Sequence, residues 1–253
     1  MPKLGLGLST GSKPTLAAGG GGGCIVTDGL VWHIDCKNES SYDPAAPTVW
    51  NSLIDSANNG TITGTVALGG GPLPDASDHM WFDGSNDYAK FPQVGNSIVQ
   101  DPMTLEYWIW IDGVYPGISS DWAFTDDMNT GLSVYHHYPN ITGRIYVRPR
   151  GDSGGGGLVW YSDTYFAADT WYHMVFTFTG TTVVAYYNTV IRTGSGTPTL
   201  GPTTSTNDFH MGATENLSGD FKGYIDIARV YNKVLTLEEV TENYDCEKAR
   251  FGY

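Results

Sequence analysis

Asp83, Asn86 and Asp87 place three side-chain oxygens close together in the stretch Met80-Trp81-Phe82-Asp83-Gly84-Ser85-Asn86-Asp87-Tyr88-Ala89-Lys90-Phe91-Pro92. Such donors, on a turn that Gly84 can carry through positive φ, are the raw material of a Ca²⁺ site. The same residues are also ordinary turn formers, because Asp and Asn side chains bond the backbone two residues on. Three other groups invite chemistry without completing it. Gly151-Asp152-Ser153-Gly154-Gly155 matches the surroundings of a trypsin-like serine. A triad also needs an oriented base, and His33 lacks the expected Ala-Ala-His-Cys context. His136 and His137 are adjacent, so on a strand they face opposite ways and make a poor metal pair. Cys24, Cys36 and Cys246 show no zinc spacing and cannot all pair internally. Free thiols are expected, with a Cys36–Cys246 bridge as the alternative.

The elements that would position these groups are nearly all strands. Gly29 to Asp35 alternates, with Leu30, Trp32 and Ile34 on one face. Met80–Pro92 reads as strand, tight turn, strand. In Pro102 to Ile111, Leu105, Tyr107, Ile109 and Ile111 form one face and Glu106, Trp108 and Trp110 the other. Bulky residues on both faces predict a central strand covered on both sides. Further strands are expected over 122–124, 132–138, 143–148 and 158–161. Trp171 to Thr179 and Thr182 to Ile191 form a hairpin around Gly180, and Phe221 to Tyr231 closes the fold. One helix is predicted. Thr236-Leu237-Glu238-Glu239 is a capping box, with Leu235 and Val240 placed as its hydrophobic staple.

Composition agrees. Charged residues are only 16% of the chain while 33 residues are Gly, which suits a turn-rich β protein rather than a helical bundle or a disordered chain. A net charge of −14 argues against nucleic acid or an anionic membrane as the main partner. Met1-Pro2-Lys3 is not followed by an apolar leader segment, and no run is long enough to span a membrane. Residues 1–23 read as an arm and a glycine linker: Leu4, Leu6 and Leu8 alternate as an edge strand would, and Gly19 to Gly23 follow. This tip is either a free N-terminus or an anchor that adds a strand to a neighbouring subunit. Residues 24–253 then form one domain.

Five motifs stand in order: Gly29-Leu30-Val31-Trp32-His33-Ile34-Asp35, Trp81-Phe82-Asp83-Gly84-Ser85-Asn86-Asp87-Tyr88, Thr104-Leu105-Glu106-Tyr107-Trp108, Thr170-Trp171-Tyr172-His173, and Gly223-Tyr224-Ile225-Asp226-Ile227-Ala228-Arg229-Val230-Tyr231. Together they resemble the laminin G-like, concanavalin A-like modules over residues 26–248. The resemblance implies an all-β, two-sheet antiparallel jelly-roll sandwich with one short C-terminal helix. It implies a structural Ca²⁺ near the sheet edge, with Asp83 and Asp226 in the matching positions and Asn86 beside them; the alternative is that Asp226 pairs with Arg229. It implies sugar-stacking aromatics, for which Trp108 and Trp110 are the candidates with Tyr146, Trp160 and Tyr161 nearby; the alternative is burial. Family hydrolases carry a Glu-x-Asp-x-x-Glu strand that Glu106-Tyr107-Trp108-Ile109 lacks, so no enzyme is expected. The family's Asn-Gly turn is replaced by Asn188-Thr189. The two ends of the chain are similar to tailed-phage virion proteins. The resulting expectation is a non-enzymatic module on the virion surface, homo-oligomeric and joined to other virion proteins through its arm. A module recognising cell-surface glycans is the alternative.

Overall fold

The computed structural model describes residues 23–93, 100–113, 121–125, 132–137, 142–149, 160–163, 166–180, 182–196, 207–214 and 219–253. Leu4, Leu6 and Leu8 and the glycine stretch at 151–155 lie outside these residues.

Two antiparallel sheets face one another. The first runs Val190–Arg192, Thr182–Tyr187, Trp171–Thr179, Met103–Ile111, Lys222–Tyr231, Met80–Asp83 and Ala67–Leu68, with Leu30–Asp35 also paired to Lys222–Tyr231. The second runs Gly194–Ser195, Trp160–Ser162, Thr142–Pro149, Leu132–His137, Asp121–Thr125, Phe209–Met211, Tyr88–Phe91, Gly60–Thr63 and Val49–Trp50. Leu105, Tyr107, Ile109 and Ile111 from the first sheet meet Phe124, Val134, Ile145 and Val147 from the second in one core. This alternation is the reason for a sandwich: each strand has a face that must leave water.

Met103–Ile111 is buried along its whole length, as two bulky faces predict. Its second face is covered by the C-terminal helix Leu237–Glu247 and the following turn of 3₁₀ helix, Lys248–Phe251. The capping box forms as expected. Thr236 Oγ1 accepts from Glu239 N–H at 3.3 Å, and Glu239 Oε2 accepts from Thr236 N–H at 2.9 Å. Leu235 and Val240 are both buried beneath it.

Two expectations need correction. The strand predicted over Thr182 to Ile191 breaks at Asn188 and Thr189, whose φ values of 49° and 69° make the turn a primed hairpin type. The Asn188 side chain supports it by accepting from His173 N–H at 2.9 Å, so Asn-Thr does the work of Asn-Gly despite its β-branched second residue. The cysteines are not all free. Cys24 and Cys246 form a disulfide across 222 residues, and Cys36, not bonded to Cys246, is the free and buried thiol. The cause is the docking of residue 26 beside the helix: Val26 N–H donates to Asn243 Oδ1 at 2.8 Å, and the Tyr231 hydroxyl donates to Val26 O at 3.2 Å. Cross-links closing long loops typically stabilise by about 2–5 kcal/mol, so this one fastens the N-terminal approach to the last helix.

Candidate functional site

Trp108 and Trp110 are not a sugar platform. They are 0% and 4% exposed. Trp108 stacks on Phe251 at 4.0 Å and 12° and on Tyr244 at 5.6 Å, so the C-terminal segment occupies the place a sugar ring would take. Trp110, Trp81, Trp171 and Tyr224 pack into the same cluster. Trp160 is in the core between the sheets, while Tyr146 and Tyr161 are on the far sheet.

Asp83 and Asp226 are not brought together either. Asp83 pairs in register with Lys222, and its Oδ1 accepts from Ser85 N–H at 2.7 Å, an Asx turn around Gly84. Asn86 sits beyond it in the left-handed region at φ 63°. Asp87 is turned inward and accepts from Thr65 N–H and Asp83 N–H. Asp226 lies at the register shift between Ile225 and Ile227, where a bulge re-aims its side chain. Its oxygens are taken by Met80 N–H at 2.9 Å, His79 Nδ1 at 2.5 Å and Arg250 Nη2 at 3.4 Å. Met80 and Asp83 stand three residues apart on one strand, about 10 Å at the usual rise. A carboxylate already bonded to two cationic side chains and an amide does not fit a Ca²⁺ shared with Asp83. Among the described residues, no three His, Cys, Asp or Glu side chains gather to hold a metal.

Asp226 instead serves a buried ion pair. Burial alone would lower the His79 pKa, but the hydrogen bond and charge of Asp226, helped by Asp75, outweigh it and raise the pKa. Folding therefore favours protonated His79. That contribution is complete below the ordinary histidine value and is lost as pH rises through the raised one. The urea midpoint should fall as pH climbs from about 6.5 towards alkaline values, and His79→Gln should flatten that part of the profile. A wild-type midpoint constant over this window would disprove the coupling.

The second buried polar group is larger. Glu106, fully buried, accepts from Arg229 Nη1 at 2.9 Å and from Asn243 Nδ2 at 2.6 Å, and it meets His173 Nε2 at 3.0 Å. Burial raises its pKa; Arg229, then His173 and Asn243, overcome that and hold it at about 2. Arg229 also donates to Glu247 at 2.6 Å and to His33 Nε2 at 3.1 Å. His33 is thereby kept neutral, its pKa lowered by burial and by Arg229. A base already spent on a guanidinium is no catalytic histidine. Arg229 thus pairs with Glu106 and Glu247 rather than with Asp226. A cavity of about 310 Å³ opens beside this group, lined by Cys24, Leu53 and Cys246 among others, but its charged lining residues Asp35, Arg229 and Glu247 are each already paired.

An aromatic row lines the outer surface of the second sheet. Strand register sets Trp122 opposite Tyr135, Tyr135 opposite Tyr146, Tyr146 opposite Tyr161, and Tyr161 opposite Ser195. This is one cross-strand row over five strands. Tyr135 and Tyr146 stack at 5.1 Å and 18°, and Tyr146 and Tyr161 meet at 5.6 Å and 30°. Rings this close present edges and hydroxyls outward rather than faces. Tyr135 is nearly sealed while Tyr146 and Tyr161 are partly exposed. Arg148 and Arg144 flank Tyr146 on the same strand, two residues to either side; Arg148 lies 5.1 Å over Tyr135 and Arg144 lies 5.5 Å over Tyr161. At the end of the row, the Ser195 hydroxyl donates to Asp163 at 2.7 Å. The period-2 pattern alone carried a signal: Tyr146 lies between the core residues Ile145 and Val147 and therefore faces outward.

A laminin G model of the concanavalin A-like lectin/glucanases superfamily matches residues 83–241, more than half of the chain. The chain belongs to this family. Solved structures show the same concanavalin A-like fold. Domain 4 of AbnA, an extracellular arabinanase of Geobacillus stearothermophilus in complex with arabinotriose, is 18% identical with a TM-score of 0.61, covering 85% of this chain and 98% of that one. The botulinum neurotoxin serotype D binding domain is 12% identical with a TM-score of 0.59, covering 87% of this chain and 51% of that one. A Trypanosoma rangeli sialidase is 19% identical with a TM-score of 0.55, covering 94% and 36%. The chain thus spans about half of the toxin domain and about a third of the sialidase. No curated protein matches the sequence. Proteins of such different activity share the fold, so function has to be argued from the site.

Proposed function

We propose that this chain is a non-catalytic carbohydrate-binding module that grips an oligosaccharide along the row from Tyr135 to Ser195. The observation that carries the proposal is the Tyr135–Tyr146–Tyr161 stack, aromatic side chains on a sheet face that also bears polar partners. Phenol hydroxyls at the outward ring edges bond sugar hydroxyls. The occurrence of arabinotriose in a complex with an arabinanase domain of this fold supports the reading. A non-catalytic role is supported by the state of two of the fully buried carboxylates. Glu106 and Asp226 are engaged by Arg229 and His79 on the other sheet, where neither can flank a glycosidic bond. The test is an oligosaccharide array with the full chain and with Tyr146→Ala. Binding by the first and its loss in the second is the expected result; equal binding by both would refute the assignment of the row.

The layout of an alternating apolar tip on a glycine tether supports a setting for the module: display on a virion surface, with Leu4, Leu6 and Leu8 adding a strand to a neighbouring virion protein, and homo-oligomeric assembly through the same arm. Deleting residues 1–23 should then lower incorporation into particles at least several-fold while leaving the melting temperature of the domain within a few degrees. Unchanged incorporation would rule the arm out as an anchor.

A further inference from the structure

We infer that the tyrosine row is built for a carboxylate-bearing oligosaccharide, which Arg148 takes hold of beside Tyr135. This rests on the carbohydrate-binding reading and narrows it to acidic sugars.

Charge is scarce here in one sense only. Against 27 acidic residues the chain has 13 Lys and Arg. In so acidic a molecule, most of the described cations find a carboxylate. Each described lysine does: Lys37 with Asp78, Lys90 with Asp208, Lys222 with Asp112, Lys233 with Asp28, and Lys248 with Asp245. Arg229 and Arg250 do as well. Arg148 has no carboxylate partner among the described residues. Its guanidinium lies over the Tyr135 ring instead, with its Nε unbonded. A ring face holds a guanidinium less strongly than a bidentate carboxylate does. Stacking also fixes the planar fork in place before any ligand arrives, which lowers the ordering cost of binding.

Placement makes this more than a stray charge. Arg148 and Arg144 stand four residues apart on one face of Thr142–Pro149, roughly 13 Å at the strand rise, with Tyr146 midway between them. A short oligosaccharide lying across Tyr146 would reach the Arg148 fork with a carboxylate while its hydroxyls meet the phenols. Arg192 also lies over a tyrosine, Tyr187, but on the edge of the other sheet with no row of exposed aromatics beside it. The charge complementarity is therefore local to Arg148: a guanidinium held on an aromatic ring of an otherwise acidic molecule, selecting an anionic sugar that the rest of the surface would repel.

The experiment uses the full chain on an array of neutral, uronate-containing, sialylated and sulfated oligosaccharides. The strongest carboxylated hit is then titrated calorimetrically against its own carboxyl-reduced form. The uronate and sialylated arms separate the two sources of a sugar carboxylate. The expected result is preference for carboxylated sugars, at least a tenfold loss on carboxyl reduction, and collapse of that difference in Arg148→Gln. Binding of neutral or sulfated sugars only, or equal affinity for acid and reduced forms, would overturn the inference while leaving the carbohydrate-binding reading standing. Absence of any binding by the folded chain would overturn both. Should Arg148→Gln fail to fold, the wild-type comparison of acid and reduced sugar decides the matter alone.

Discussion

Arg229→Met should cost about 3–5 kcal/mol of folding stability, more than any surface substitution in this chain. The guanidinium is fully buried and is the principal counter-charge of Glu106, which has no water to turn to once it is gone. Glu106 would keep His173 and Asn243, and Glu247 would swing to solvent. A second change, Glu106→Gln, should recover at least about 1 kcal/mol of that loss, because a neutral amide of the same shape needs no cation. Urea unfolding of the single and double variants measures both numbers. Equal stability of Arg229→Met and the wild type would show that the network contributes nothing. The depressed Glu106 pKa gives the pH sign: the stability it contributes is present above the ordinary carboxylate range and disappears only as pH falls through about 2.

Tyr146→Ala should lower oligosaccharide affinity by about 30-fold, the scale of a 2 kcal/mol anchor, with a melting temperature within a few degrees of the wild type. Trp108→Ala should do the reverse. Its indole is sealed between the sheet and Phe251, so truncation leaves a cavity worth about 3–5 kcal/mol, and any loss of binding should follow the fraction unfolded. Calorimetric titration paired with thermal melting separates the two. A folded Trp108→Ala that has lost its sugar, beside a Tyr146→Ala that has kept it, would move the site to the first sheet.

Much of the fold was legible because its signals are local. Alternation in Met103–Ile111 told that both faces are covered, and the Thr236 capping box told where the helix starts. What lay on the covered face was not local. Trp108 has the composition and spacing of a sugar platform, and only the path of Lys248–Phe251 across the sheet turns it into core. The Asp83–Asp226 pairing failed for a related reason. The motif positions match the family, but a bulge at Asp226 and the arrival of His79 and Arg250 decide what its carboxylate meets. The tyrosine row depends on register across five strands, set by turns far apart in sequence; Tyr146 and Tyr161 were expected near Trp108 and Trp110, and register sets them in a row with Tyr135 on the other sheet. The Cys24–Cys246 bridge depends on the docking of residues 23–26 against the helix, which no spacing rule encodes.

Backbone amide shifts recorded while an oligosaccharide from the array is titrated into the full chain test the central claim most directly. The account predicts that the perturbed residues cluster on Leu132–His137, Thr142–Pro149 and Trp160–Ser162, around Tyr135, Tyr146 and Tyr161. Perturbations centred instead on Met103–Ile111 and the C-terminal helix, or none at saturating sugar, would contradict it.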